Sequence, residues 1–543
     1  MSSSPLVLSV WERELRDDPD RTFLIDGVKN GFQLLPSGST ITPAEMENYS
    51  SATGPTFKEK VDKAILEEVE AGNYVAVSSK PSIVSALGAV PKPDSDDIRL
   101  IHDFSMPPGK GVNSYISVEK QSFQSLNDAT KLIGKDYYVA KVDLRRAYRS
   151  VPVHPANYDA LGLKWKLPGD DHFTYLVDTR LPFGGSSAPG IFHRLTQSVR
   201  RMMARRGFRD VVVYLDDFLV IGRTFQECEA AFMALRSLLL ELGFSISPSK
   251  LVPPCQKLVF LGVEIDTVKL TLSLSSKKLS DLQVLLLSFR SRVRATKRQL
   301  QQLAGRLNWA CKVVFGGRTF LRRILDLMNT LPRQSAKCRL GEEFFKDIDW
   351  WLQFLKVFNG YCSFHDSRPV VDLHTDACST GIGAEFQGDW FYSNLLVDYP
   401  SFSDSHINYK EALCVVLALK RWAPLLQNRV VHIHCDNTAA VAMLNKGTTK
   451  DPDMMKHLRE AFWLSATYNF SLRVFHVPGK LNVLADHISR LHMPFHLQAF
   501  TQHLLHRFGF CPESLAATGH MSLLSFFFLV GLLHSRLSLS SVF

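Results

Sequence analysis

The chain has no C-x-x-C pair. Its nine cysteines are scattered through 543 residues and odd in number. That argues against a disulfide framework and a paired-cysteine zinc module, and makes free thiols in a reducing compartment the expectation. It also lacks a long apolar run. The strongest, LLSFFFLVGLL at residues 523–533, has eleven residues, whereas a bilayer span needs about 18 or more. A buried helix or strand is expected there. The opening MSSSPLVLSVWEREL has no basic stretch followed by a long apolar one and does not read as a secretory signal. Internal repeats and low-complexity blocks are missing too. With 45% apolar and 21% charged residues, a disordered or collagen-like chain is excluded.

What is present is length and positive charge. At about 150 residues per domain the chain holds roughly three to four domains. Lys and Arg number 63 against 53 acids, a net charge of +10, which suits a polyanionic partner.

Local patterning divides the chain. TFKEKVDKAILEEVEAG at 56–72 predicts a helix, with Val61, Ile65, Leu66 and Val69 at helical spacing and Gly72 as its stop. Short runs such as YYVAKVDL, VVVYLDDFLVIG and LVFLGVEI predict strands, with helices at 188–206 and 225–242 between them. From 276 to about 355 the pattern is mostly helical. There, between Lys277 and Arg323, twelve basic residues meet one acid, Asp281, and a phosphate-tracking surface is expected. Beyond Pro369, three strands with tight turns, a helix, a strand, helices, a strand and a last helix opened by Asp486 predict an α/β unit.

Two sets of carboxylates stand out. Asp143 ends YYVAKVD, and Asp216 and Asp217 sit inside VVVYLDDFLVIG. Adjacent acids among Val, Leu and Phe are costly to bury, and like charges a few ångströms apart resist joint ionisation. A hairpin with carboxylates at its tip, joined by Asp143 from a neighbouring strand, could hold hard divalent ions for phosphoryl transfer. Asp-Asp alone is also what an acidic turn looks like. The second set is Asp376, Glu411, Asp436 and Asp486, each where a strand ends or a helix begins. Four acids converging on one sheet edge would again imply metal, this time activating water against a phosphodiester. Singly, each is more often a cap or a solvated residue.

YLDD at Tyr214–Asp217 resembles the catalytic box of reverse transcriptases, and AKVDLRRAYRSVPVHP resembles their first palm motif. The resemblance makes Asp143, Asp216 and Asp217 catalytic metal ligands and places Tyr148 where an aromatic blocks a ribose 2′-OH. LPFGGSSAPGIFHRL is similar to the motif under template and nucleotide, with Phe183 and Gly184 in contact and Gly184, Gly185 and Pro189 allowing close backbone approach. FLGVEID, with Leu261 and Gly262, is similar to the turn gripping the primer end, near Tyr214. LGAVPKPDSDDIRLIHDFS resembles the fingers, where Lys92 and Arg99 would hold the triphosphate. Lys250 matches a later lysine near the phosphates. Arg298 and Arg306 would contact the primer–template duplex.

The second set resembles ribonuclease H, whose ligands appear in the order Asp, Glu, Asp, Asp. Many such enzymes carry a His before the fourth acid. Here His476 lies on the strand side and His487 follows the acid, so no general-base His is assigned.

DPDRTFLIDGVKNGFQLL, IRLIHDFSMPPGKGVNSYI and QLAGRLNWACKVVFGGRTFLRRI are similar to DIRS-like (tyrosine-recombinase type) retrotransposon polymerases, over residues 12–491. The resemblance implies an α+β right-hand polymerase followed by an α/β ribonuclease H-like domain. The boundaries expected are an N-terminal extension (1–55), fingers and palm (56–266), a helical basic thumb/connection (267–365), the ribonuclease H-like domain (366–491) and an unassigned tail (492–543). It implies Mg²⁺, with Mn²⁺ as the alternative, two ions per site. The implied partners are an RNA template, a DNA primer, RNA–DNA hybrid, dNTPs and a separately encoded recombinase, and no membrane. The implied location is intracellular, in a cytoplasmic or nuclear ribonucleoprotein. No aspartic-protease D-[ST]-G or recombinase signature occurs. The tail histidines His492, His496, His503 and His506, with Cys511, match no ligand spacing and read as unligated. The alternative reading is an inactive or host-adopted relic that binds nucleic acid; against it, all seven carboxylates are present.

Overall fold

The computed structural model describes residues 5–92, 96–118, 121–314, 316–358 and 360–507. The apolar run at 523–533 and Cys511 lie outside them. The chain forms two compact units, one comprising residues up to Ser275 plus Cys362–Phe364, the other Ser276–Tyr361 and the chain from His365 on.

The first unit begins with two helices, α1 (Leu8–Glu14) and α2 (Arg21–Asn30), followed by α3 (Lys58–Glu70). A two-stranded ribbon, β1 (Ala86–Pro91) and β2 (Ile98–Asp103), comes next, then β3 (Tyr138–Asp143). The helix α4 (Ala188–Arg205), the hairpin β4 (Val211–Tyr214) and β5 (Asp217–Gly222), the helix α5 (Phe225–Glu241), and β6 (Val252–Cys255) complete its central layer. The sheet order is β6-β3-β5-β4, all antiparallel. Its strands alternate as period-2 patterning demands: Ala140 and Val142 of β3 and Phe218 and Val220 of β5 enter one core with Ile191, Phe192, Leu195 and Val199 of α4. A hairpin of β7 (Lys257–Phe260) and β8 (Val263–Asp266) follows. The ladder continues past Asp266, with Glu264–Asp266 pairing onto Ser273–Thr271, so the expected boundary at 266 falls inside a sheet and the unit runs on to Ser275.

Residues 5–35 are no appendage. Trp11, Leu15, Leu24 and Phe32 are fully or almost fully buried in the same core as the β3–β5 sheet. The Trp11 indole N–H donates to the Leu242 carbonyl at 3.0 Å. Arg201 of α4 donates to Asp18 at 2.7 and 2.8 Å and to Asp20 at 2.8 Å, and the Asp18 side chain has no exposed surface. Sequence periodicity is weak here because α1 is seven residues long, under two turns. Tertiary burial makes it a helix.

The second unit opens with four helices, α6 (Ser276–Arg290), α7 (Lys297–Ala310), α8 (Arg322–Asn329) and α9 (Glu342–Val357). Thr296 and Gln299 form a reciprocal capping box that starts α7. A five-stranded sheet follows, built from β9 (Val370–Ala377), β10 (Gly381–Phe386), β11 (Asp389–Asn394), β12 (Val430–Cys435) and β13 (Ser471–His476). Its order is β11-β10-β9-β12-β13, antiparallel on the β11 side and parallel from β9 to β13. Crossing helices α10 (Ile407–Trp422), α11 (Thr438–Lys446) and α12 (Pro452–Tyr468) supply the connections that parallel strands require. The chain continues through α13 (Val483–Ser489) to a further helix, α14 (Pro494–Arg507). The helix carrying Asp486 is therefore not the last. Phe500 of α14 packs edge-on to Trp390 of β11, with ring centres 4.8 Å apart.

The basic run is less one-sided in space than in sequence. Arg290 pairs with Asp349 at 2.7 Å, Arg322 with Asp326, and Arg323 with Asp347 at 2.7 Å and Glu343 at 2.7 Å. These acids lie downstream of Arg323, beyond the run. Arg298 and Arg306 stay exposed on one face of α7, which also carries Gly305, whose α-carbon faces open space.

Replacing Trp11 by alanine is expected to cost about 3–5 kcal/mol, from lost burial and the cavity left behind. A urea-denaturation midpoint for the variant within error of wild type would refute the integral role of α1.

Candidate active sites

β3 and β5 bring the first three carboxylates together. Asp217 is directly opposite both Asp143 and Tyr214, so the β4–β5 turn contains only Leu215 and Asp216. Leu215 has φ +53°, a left-handed conformation that disfavours a branched side chain. The Leu144 N–H donates to the Asp216 carbonyl at 3.1 Å, which ties the turn to the end of β3. Asp143 is 4% exposed. Burial, followed by its hydrogen bond to Asp217, pushes its carboxyl up to about 6. Burial also raises Asp216. Two lysines offset the repulsion: Lys250 donates to both Asp143 oxygens at 3.1 and 3.2 Å, and Lys141 pairs with Asp217 at 2.9 Å. Lys250 was expected near phosphates; here it lies on the carboxylates themselves.

A cleft of about 1000 Å³ adjoins this centre, lined by Lys60, Lys63, Lys92, Arg99, Arg146 and Asp216 among others. Lys92 and Arg99, expected from the sequence, come from the β1–β2 ribbon; Lys92 pairs with Asp97. Lys60 and Lys63 of α3 were not foreseen, because on an amphipathic helix they read as a solvated face. Phe183, 54% exposed, stacks on Tyr148 with ring centres 5.0 Å apart at 14°. Gly184 has φ +107°, and a Cβ there would lie 2.7 Å from the His102 carbonyl oxygen, so this loop requires glycine. Asn113, also unforeseen, clamps the loop: it donates to the Gly184 carbonyl at 3.0 Å and accepts from the Ser186 N–H at 2.8 Å. Beneath the cleft, buried Arg149 bridges Asp178 at 2.9 Å and Glu68 at 2.8 Å. Tyr214 is partly exposed at the end of β4. Leu261 and Gly262, both at positive φ, form the two-residue β7–β8 turn. Arg298 and Arg306 belong to the other unit.

In the second unit, Asp376 lies on β9, Glu411 in the first turns of α10, Asp436 directly after β12 and Asp486 on α13. Asp376 and Glu411 are each 1% exposed. Glu411 accepts from the Ala377 N–H at 3.1 Å, and Cys435 Sγ lies 3.6 Å from its other oxygen. Ligand atoms of Glu411, Cys435 and Asp436 fall within 4.8 Å of one another. Burial, then Asp376 and Asp436, raises Glu411 well above the ordinary carboxylate range. Ser489 Oγ donates to Asp376 at 2.5 Å, and Arg490 lies 3.6 Å from Asp376 while pairing with Asp486. The bearing of Ser489 and Arg490 on Asp376 was missed because Asp376 is 113 and 114 residues upstream in the chain. His476 ends β13 and is exposed. His487 is turned to His496, at 2.9 Å between their Nδ1 atoms.

Carboxylates whose proton affinity burial raises, as at Asp143, Asp216, Asp376 and Glu411, fit a hard divalent cation, which replaces the proton that otherwise relieves the repulsion. Burial, then Asp436, pushes the Asp376 carboxyl from its ordinary 3.8 up to about 6. The metal-free folded state thus holds this proton more tightly than the unfolded chain, and stability is lost as pH rises from about 4 through about 6. Asp376→Asn is expected to stabilise the metal-free chain by about 2 kcal/mol at pH 7.5 and by little at pH 4. Urea denaturation in EDTA at both pH values checks this; equal effects at the two pH values would contradict it.

Residues 90–265 match the family described as reverse transcriptase (RNA-dependent DNA polymerase), and residues 366–466 match the RNase H-like domain found in reverse transcriptase. The second match stops short of Asp486. The genome polyprotein of Petunia vein clearing virus (isolate Shepherd) is 24% identical over 371 residues, covering 66% of this chain and 16% of the relative. The enzymatic polyprotein of Cauliflower mosaic virus (strain Strasbourg) is 25% identical over 322 residues, covering 57% and 44%. The chain thus spans less than half the length of either. Among solved structures, the foamy viral protease-reverse transcriptase dRH in complex with double-stranded DNA has a TM-score of 0.51 at 16% identity, over 87% of this chain and 82% of the other. The foamy viral protease-reverse transcriptase in complex with an RNA/DNA hybrid has a TM-score of 0.51 at 16% identity, over 87% and 63%. These two likenesses are of fold. Together with the two family matches, they make residues 90–265 a reverse transcriptase domain and residues 366–466 part of an RNase H-like domain.

Proposed function

We propose that this chain is an RNA-directed DNA polymerase with ribonuclease H activity, copying retroelement RNA into DNA and cleaving RNA in the hybrid. The observation that carries the reading is the pair of carboxylate centres. The first joins Asp143 to Asp216 and Asp217 across strand ends, the second draws Asp376 and Asp436 from strands and Glu411 and Asp486 from helices, and each sits in a domain whose family does this chemistry.

In the polymerase centre, Asp143, Asp216 and Asp217 would hold divalent cations, and the donor set favours Mg²⁺. Two bound ions supply Lewis-acid activation of the attacking oxygen and stabilisation of the leaving one. The remaining work falls to the chain. Lys92, Arg99, Lys60 and Lys63 neutralise a triphosphate entering the cleft. The Tyr148–Phe183 stack walls the sugar. Gly184 lets the backbone approach closely. Tyr214, Leu261 and Gly262 contact the primer end. In the second centre Asp376, Glu411, Asp436 and Asp486 would be the ligands, with Ser489 and Arg490 orienting Asp376 and Asp486. Arg298, Arg306 and the open Gly305 backbone between them present a face that a phosphate backbone could follow. An A-form-like hybrid is recognised through backbone and 2′-OH contacts.

Within this class the N-terminal motifs favour a DIRS-like retrotransposon polymerase, working inside the cell alongside a separately encoded recombinase. No helix among the described residues is long and apolar enough to cross a membrane.

Asp216→Asn combined with Asp217→Asn is expected to abolish extension of a labelled DNA primer on RNA while leaving RNA cleavage intact, and Asp376→Asn to do the reverse. Wild type that folds but neither extends nor cleaves would favour the nucleic-acid-binding relic. Arg298→Ala with Arg306→Ala is expected to weaken hybrid binding and flatten its log–log salt dependence by about 0.7–0.9 for each phosphate no longer neutralised. An unchanged slope would remove these residues from the duplex track.

A further inference from the structure

Two histidines that the catalytic scheme does not use converge on one of its carboxylates. The turn from α13 to α14 is closed by the Met493 N–H donating to the Arg490 carbonyl at 2.8 Å and the Leu497 N–H to the Met493 carbonyl at 3.0 Å. It folds α14 back so that His496, near its start, faces His487 and Asp486 of α13. His496 Nδ1 lies 2.9 Å from His487 Nδ1 and 3.6 Å from Asp486 Oδ2. One ligand atom from each of the three residues lies within 4.8 Å of the others. Arg490 pairs with Oδ1 of Asp486, which leaves Oδ2 for this side. His496 is largely withdrawn from solvent, with its side chain 19% exposed. The Phe495 ring flanks both imidazoles, at 6.3 Å from His487 and 5.3 Å from His496.

The spacing suits a small cation. With zinc–nitrogen distances of about 2.0–2.1 Å, two ligand atoms of a tetrahedral ion stand roughly 3.3 Å apart. The two measured separations fall either side of that. Two imidazoles and one carboxylate, with a fourth position left for water, form a borderline donor set that selects zinc, cobalt or nickel over magnesium.

We propose that Asp486, His487 and His496 form a three-ligand site for a transition-metal dication of the zinc class, whose occupancy withdraws Asp486 from the ribonuclease H centre and so inhibits RNA cleavage. The inhibitory part rests on the functional reading above, in which Asp486 is a ligand of the catalytic cation; the binding part does not. The sequence hid the site because neither His–His spacing nor His–Asp spacing across the α13–α14 turn matches a zinc motif.

Co²⁺ serves as the probe, titrated into the metal-free full-length chain. Low-coordinate Co²⁺ bound to imidazole gives intense visible d–d bands. These bands are expected for wild type and His503→Gln, and to be lost in His496→Gln and in His487→Gln, the latter serving as second variant should the first fail to fold. No bands in wild type, or bands unchanged in both histidine variants, would overturn the site. RNA cleavage in Mg²⁺ is then followed as Zn²⁺ is raised, each protein normalised to its own zinc-free rate. The half-inhibiting zinc concentration is expected to rise at least tenfold in His496→Gln, and equal sensitivity would overturn the inhibitory role. Wild type that binds Co²⁺ but cleaves no RNA would instead refute the ribonuclease H reading and leave the metal site standing.

Discussion

Holding several carboxylates together against their mutual repulsion is the constraint on which both domains depend. Asp143 and Asp217 face each other across a ladder, and Asp376 and Glu411 are almost wholly buried. Without a cation, burial makes Asp143, Asp376 and Glu411 retain protons above the ordinary carboxylate range. The chain answers with cations of its own at each edge: Lys141 and Lys250 in the first centre, Arg490 in the second. Only a stiff scaffold can keep acids so placed. Ladder hydrogen bonds fix the backbone at Asp143, Asp217 and Asp376, Asp436 directly follows a strand, and helices supply Glu411 and Asp486.

The stiffness has identifiable sources. α1 and α2 insert Trp11 and Leu24, and the segment after α2 inserts Phe32, into the core that carries β3 and β5. The Asp18–Arg201 and Asp20–Arg201 pairs lock them to α4. Below the cleft, Arg149 is buried between Asp178 and Glu68, so the floor is polar yet partnered. Leu215, in a conformation a leucine normally avoids, shows that the packing around the β4–β5 turn overrides a local preference. In the second unit, helices α6–α9 and the five-stranded sheet belong to one compact body.

Much of this was legible because it is local. Short apolar runs carrying acids marked β3, β5 and β9, and helical spacing marked α3, α4 and α5. The seven carboxylates could be chosen because each follows an apolar run or opens a helix, where an acid needs a reason. Lys60, Lys63 and Asn113 were not legible. A lysine on an amphipathic helix looks solvated, and an asparagine in a loop looks like a turn residue, until a cleft or a clamped loop stands beside it. The basic run from Lys277 to Arg323 looks more one-sided in sequence than in space for the complementary reason: Arg290 and Arg323 meet Asp349, Glu343 and Asp347 on another helix.

By itself, then, the sequence determined which residue types could carry chemistry, the order of elements that present them and the balance of charge that suits a polyanionic substrate. These follow from patterns within a few residues of one another. The tertiary structure decided which charges are neutralised, which lysines line the cleft, that Ser489 and Arg490 bear on Asp376, and that His496 turns back onto His487 and Asp486. Those outcomes depend on packing between segments distant in the chain, set by how helices and strands meet, and pairwise spacing along a sequence carries no record of them.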